Sequence, residues 1–192
     1  EELAQGDVEP EQLWSMTDAQ VEAWLHGGES RLARALAQSL ENRTFHRSVY
    51  VIKPTGYGFA ERTAGKEIVV GEWNRSDLRR FSDYYADCAR LKKLEDRLAI
   101  TLDLEPGDVL FAAMPFFEKL VPKDVRIFSR SSRQTYSLFE NDQDHFRSLE
   151  GDYLRTFAIR IIVAPENREK VRVQTDTVSQ FLEQEVASLC SA

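Results

Sequence analysis

The sequence predicts an α+β chain: helices first, then an antiparallel sheet of about four strands packed with further helices. Two observations carry this. Apolar residues recur at helical spacing near both ends, as in Leu32, Leu36 and Leu40. Between those ends stand short runs rich in β-branched and aromatic residues, with Val49, Tyr50, Val51 and Ile52 in one and the stretch 156–163 in another. Helices kept apart from a cluster of strands give α+β and not alternating α/β.

Residues 11–25 read as a helix in which Thr17 is an N-cap and Gln20, three residues on, completes a capping box. Val21, Trp24 and Leu25 share one face, and Gly27-Gly28 ends the run. Ser30 caps a second helix, and the short connection makes the two an αα-hairpin. Residues 45–53 read as a strand, broken by Pro54-Thr55-Gly56-Tyr57-Gly58. The stretch up to Trp73 is ambiguous between a hairpin and an excursion. Residues 76–100 are helical in character, with Leu78, Phe81, Tyr85, Cys88, Leu91 and Leu98 on one face and charges on the other. Pro106-Gly107 is a turn. Strands follow at 109–114, 125–129 and 135–139, then a short helix at 142–149. The clearest strand is 156–163. Pro165 opens a last helix in which Val171, Val178, Phe181, Leu182, Val186 and Leu189 can share a face, although the β-branched run 171–178 weakens it.

Composition narrows the function. The chain has 192 residues, 42% hydrophobic and 30% charged, which suits one domain or one domain plus helices of another. Its net charge of −7 disfavours a duplex nucleic-acid partner, because such binders are usually basic. Local basic patches stand at Arg79-Arg80, at 90–93 and at 126–133. Two cysteines, Cys88 and Cys190, are too few for a disulfide framework and read as reduced cytoplasmic thiols. No apolar run approaches ~18 residues, so no membrane span is expected, and none reads as a secretory leader. Residues 1–10 form a polar run without an initiator methionine, which suggests a piece of a longer protein or a processed end.

The three histidines, His26, His46 and His145, fall in three different elements with no ligand spacing, so no metal site is expected in this chain. Asp144-His145 reverses the order of a His-Asp doublet. No Walker A loop, Gly-x-Ser-x-Gly or His-Glu-x-x-His occurs, and no catalytic residue is assigned. Asp142 and Asp144, among Asn141, Gln143 and His145, read as a turn or helix cap.

Two arginine sets carry the binding chemistry. Arg43 and Arg47, four apart around His46, would share a face on a helix, and a guanidinium is a permanently charged fork suited to phosphate. Spacing alone favours a plainer reading, in which Arg43 pairs with Glu41 or another carboxylate at a helix end. In the second set, Arg126, Phe128 and Arg130 would point the same way from a strand, with Val125 and Ile127 inward, and Arg133 follows in a loop. An aromatic between cations can stack a base and hold phosphate, although cross-strand ion pairing is again the plainer reading. Lys92, Lys93 and Arg97 read as a solvated helix face. Trp14 and Trp24 read as core or interface packing, and Met114-Pro115-Phe116-Phe117 as a subunit contact or a folded-back loop.

Taken in order, Met16-Thr17-Asp18, a helical hairpin, Glu41-x-Arg43-x-Phe45-x-Arg47 and Tyr50-Val51-Ile52-Lys53-Pro54 resemble the segment after the catalytic helices in the HD-domain dNTP triphosphohydrolases. The likeness continues through Asp108-Val109-Leu110, Pro122-Lys123-Asp124-Val125 to Arg130, and the strand ending at Val163. It is poor over 62–100. The resemblance implies that residues 1–45 are terminal helices of an all-helical HD domain. It implies that 46–192 form a C-terminal α+β lobe with its own helical insertion at about 75–100. It assigns Arg43, Arg47, Arg130 and Arg133 to contacts with an effector (d)NTP, with arginine standing at two positions where the vertebrate member has lysine. The HD motif that would hold a divalent metal and activate water is missing from this sequence, so the implied cofactor belongs to the parent protein and not to this chain. The implied partners are the remainder of the HD domain and further copies of the chain in a homo-oligomer. A stand-alone interaction module and a single-stranded nucleic-acid binder using Arg126, Phe128 and Arg130 are the other readings.

Overall fold

In a computed structural model, residues 10–58, 68–113 and 126–191 are described. The chain divides into two units, Glu1–Arg47 and Ser48–Ala192.

The first unit holds α1 (Pro10–Leu13), α2 (Asp18–Gly27) and α3 (Arg31–Glu41). The single helix expected over 11–25 is therefore two. A turn follows Leu13, with the Ser15 and Met16 amides donating to the Gln12 and Leu13 carbonyls. The reason is local: Thr17 takes an extended backbone and caps α2 with the full capping box to Gln20, so no helix can run through it. Ser30 caps α3 as expected, accepting from the Ala33 amide at 3.2 Å. Leu32 and Leu36 are only partly covered, and Ala37 is the one buried residue of α3.

The second unit begins with β1 (Arg47–Pro54), whose first residue closes the first unit, and continues with β2 (Val69–Trp73), α4 (Arg75–Tyr84) and α5 (Cys88–Thr101). Then come β3 (Val109–Ala113), β4 (Arg126–Ser129), β5 (Gln134–Ser137), α6 (Leu138–Asn141), α7 (Gln143–Thr156) and β6 (Ile159–Val163). A single 3₁₀ turn at Pro165–Asn167 leads into α8 (Arg168–Arg172) and α9 (Thr175–Ser191). The class is α+β, with a four-stranded sheet ordered β2-β1-β6-β3 and a separate β4-β5 pair.

The ambiguous stretch before Trp73 supplies the edge strand β2, which runs parallel to β1 with Ile52 opposite Gly71. Antiparallel pairing joins β3 to β6, with Phe111 opposite Ile161. The strands at 125–129 and 135–139 do not join the main sheet; they pair with each other. Met114-Pro115-Phe116-Phe117 and Val125 lie outside the described residues. So does Pro122-Lys123-Asp124.

The helix expected over 76–100 is interrupted at Tyr85. The Asp87 side chain accepts from the Arg90 amide at 2.9 Å and starts α5 afresh. Cys88 falls at that restart and is exposed, not on the core face. The last helix is also split, and the β-branched run marks the break: α8 ends at Arg172 and α9 starts at Thr175.

Both predicted turns have a shared construction. Gly56 and Gly107 take φ of 87° and 97°, following Thr55 and Pro106, and the amides of Tyr57 and Asp108 close the turns on Pro54 and Glu105. A left-handed third position of this kind is where glycine alone is unstrained.

The core lies on one face of the main sheet. Tyr50, Ile52, Phe111, Ile159 and Ile161 meet Leu78, Phe81, Leu94 and Leu98 of α4 and α5, and Val178 and Leu182 of α9. Trp73, Tyr85 and Phe111 surround Phe81 in edge and tilted ring contacts. On β1 the burial is continuous from Val49 to Pro54, as suits an inner strand covered on both faces. Lys53 is wholly buried, and its ammonium donates to the Arg155 carbonyl in the last turn of α7 at 2.6 Å. It thereby satisfies a helix-terminal carbonyl that has no partner within its own helix. Among the described residues, no helix is long and apolar enough to cross a membrane.

Candidate functional site

The first arginine set is built by the end of α3. Asn42 closes the helix and Arg43 takes a left-handed backbone, φ 54°. The Arg43 amide donates to the Leu40 carbonyl at 3.2 Å and the Thr44 amide to the Ser39 carbonyl at 2.8 Å. That pair of bonds is a Schellman motif, which uses up carbonyls the helix cannot satisfy. Asp103 does the same for α5, with φ 55° and amide bonds from Asp103 to Ile100 and from Leu104 to Ala99. Arg43 and Arg47 therefore do not share a helix face: the first lies just past a helix and the second opens a strand.

The plain alternative for Arg43 also needs correction. Glu41 lies 3.7 Å from His26 of α2, and Arg43 has no ion-pair partner among the described residues. Its backbone caps the helix while its guanidinium stays exposed. His46 is half-buried, with Nε2 unpaired.

The second set lies in the other unit, on the β4-β5 hairpin. Ile127 and Ser129 are half-buried while Arg126 and Phe128 are exposed, so those two share the outward face as expected. The strand ends at Ser129, so Arg130 is not a strand residue as expected, and Arg130 and Arg133 are exposed residues of the connecting turn. The Ser132 amide donates to Ser129 Oγ at 3.3 Å, and Arg133 closes the turn at φ 53°. Cross-strand ion pairing fails on register, because Arg126 faces Ser137 and Phe128 faces Thr135. Arg126, Arg130 and Arg133 have no carboxylate partner among the described residues. Phe128 is 60% exposed.

Asp142 caps α7, accepting from the His145 amide at 3.3 Å, which is the cap expected there. Among the described residues, no three His, Cys, Asp or Glu side chains are grouped to hold a metal ion.

One polar cluster escaped the sequence reading. Glu185 of α9 is buried, accepts the Tyr85 hydroxyl, and receives Arg97 Nη2 at 2.7 Å. Burial, reinforced by the carboxylate, holds the Tyr85 phenol well above its ordinary value. The bond to Glu185 raises Arg97 in turn. Arg97 also lies over the Phe181 ring at 5.7 Å, so it is not the freely solvated residue expected. Tyr85 and Arg97 stand 100 and 88 residues from Glu185 in sequence, beyond any local pattern. The usable signal was Glu185 itself, an acid interrupting the apolar stripe of Val178, Leu182 and Leu189.

No protein-family model matches the chain, and no curated protein or solved structure matches it.

Proposed function

We propose that this chain is the assembly and regulatory portion of a metal-dependent HD-family phosphohydrolase whose parent protein hydrolyses dNTPs to deoxynucleoside and triphosphate. The reading rests on the collinear motifs that resemble that family, and one structural observation supports it. The helical hairpin buries almost nothing of its own: α2 has no buried residue, while Trp14 is 90% and Leu40 61% exposed. Helices gain most of their stability from packing an apolar face. A hairpin with this much uncovered apolar surface fits the edge of a larger helical body, here the rest of an HD domain.

In this proposal the exposed guanidinium groups of Arg43, Arg47, Arg126, Arg130 and Arg133 contact effector nucleotide or a neighbouring copy, and hydrolysis belongs to the metal centre of the parent. Light scattering of the chain with and without dGTP and magnesium, alongside calorimetry, tests it. A larger assembly in the presence of nucleotide is expected. A strictly monomeric chain that gives no binding heat would sink the reading.

The β4-β5 hairpin favours a second reading, a single-stranded nucleic-acid contact, because Phe128 stands exposed on the same face as Arg126. A salt-sensitive mobility shift with an oligonucleotide, lost in Phe128→Ala, is its expected signature.

A further inference from the structure

A cleft of about 690 Å³ opens beside the Glu185 cluster, between the end of α4, the outer face of α5 and α9. Arg90, Lys93 and Arg97 line it at spacings of three and four, one face of one helix. Two carboxylates, Asp96 and Glu185, also line the cleft, and both are engaged, as is Asp87 beside it. Glu185 holds Tyr85 and Arg97, Asp96 holds Lys92, and Asp87 caps the helix. Lys93 has no ion-pair partner among the described residues, and Arg90 meets only the Tyr84 ring, its guanidinium 4.5 Å from the centroid. Two uncompensated cations on one helix face repel each other, and they do so in a chain of net charge −7. Stacking on Tyr84 restrains Arg90 before any ligand arrives, which lowers the ordering cost of using it. Ile100, exposed at the far end, adds an apolar wall.

We propose that this cleft binds a small organic phosphate, its phosphate chain on Arg90 and Lys93 and its apolar or ring portion toward Ile100. The volume suits a ligand of nucleotide size. Arg97, anchored by Glu185, frames the site and contributes less free charge. The site is separate from the arginines of the effector proposal and stands or falls without the HD reading.

Calorimetric titration with ATP and with inorganic tripolyphosphate tests it. One ATP per chain is expected, bound more tightly than tripolyphosphate. Binding should weaken at least about tenfold in Lys93→Glu and in Arg90→Glu, as loss of a charge-assisted phosphate contact would give. It should be retained in Lys93→Arg and unchanged in Arg130→Glu. Both altered side chains are exposed, so circular dichroism should show unaltered folding. Absence of ATP binding, equal affinity for the two probes, or undiminished binding in Lys93→Glu would each overturn the site. Binding lost in Arg130→Glu and kept in Lys93→Glu would move it to the β4-β5 hairpin.

Discussion

The Glu95 carboxylate accepts the Phe111 amide at 2.8 Å, and both groups are buried. Phe111 lies on β3, the last strand in the order β2-β1-β6-β3, and among the described residues no further strand lies beyond it to take its amide. A helix side chain thus supplies the acceptor that a neighbouring strand would otherwise provide, and this amide is not left open for another chain.

Burial raises the Glu95 carboxyl above its ordinary 4.5, against the opposing pull of the Phe111 amide and of Lys92. A raised acid in the folded state binds protons that the unfolded chain has released. Its contribution is therefore most favourable below about 4.5 and declines as pH rises through the folded value. Glu95→Gln keeps an acceptor for Phe111 and should remove that decline from urea midpoints measured across the acidic range. Glu95→Ala, which leaves the amide unpaired, should cost about 1–3 kcal/mol. Identical pH profiles for the wild type and Glu95→Gln would refute the assignment.

Tyr85 is expected to stay protonated while the exposed tyrosines ionise. Its raised phenol stabilises the fold fully below the ordinary value of 10.0, and that contribution is lost as pH rises above it. Spectrophotometric titration of native Tyr85→Phe should lack a late, high-pH component that the wild type shows. Removing the hydroxyl should also lower stability by about 1–2 kcal/mol, because Glu185 loses one of its two donors.

Arg43→Gly should stabilise the helical hairpin by roughly 0.5–1 kcal/mol, since glycine removes the cost of the left-handed backbone. Arg43→Ala keeps that cost and should show no such gain. Thermal melts followed by helical ellipticity separate the two, and equal midpoints would defeat the strain account.

A Cβ at Gly71 would sit 2.7 Å from the Tyr50 hydroxyl, which donates to Ser179 of α9 at 3.2 Å. Gly71→Ala should therefore destabilise by about 1–3 kcal/mol through crowding in a packed core. Adding Tyr50→Phe should recover part of the loss. If the double variant is no better than the sum of the singles, the hydroxyl is not the obstruction.

What could be read from the sequence was what local chemistry decides. The caps at Thr17, Ser30 and Asp142 and the turns at Gly56 and Gly107 need only a few adjacent residues, and they are where the sequence places them. The inner strands β1 and β6 were visible because both are β-branched and apolar. Pairing was not visible. Val69 to Trp73 has nothing in its own composition that says it lies parallel to β1, and the hairpin strands gave no sign of standing apart from the main sheet. Both arginine sets stand out as residues, and the passage from helix to strand between Arg43 and Arg47 is legible, but the backbone at the element ends is not: it turns left-handed at Arg43, and the β4 strand stops at Ser129, one residue before Arg130.

The order β2-β1-β6-β3 sets how this unit can come together. β1 ends at Pro54 and its neighbour β6 begins at Ile159, so the centre of the sheet closes across most of the chain. A ribosome must release residues beyond Val163 before that contact can exist. Until then the emerging polypeptide has only nearer pieces to form, such as the β4-β5 hairpin or β1 with β2, while the other side of β1 waits for β6. Folding of this unit should accordingly be slow for its size, because contacts this distant must overcome loop-closure entropy before they stabilise anything. Loss of the segment from Ile159 onward would leave the first strand of the sheet open along the side that β6 covers, with β2 as its remaining partner.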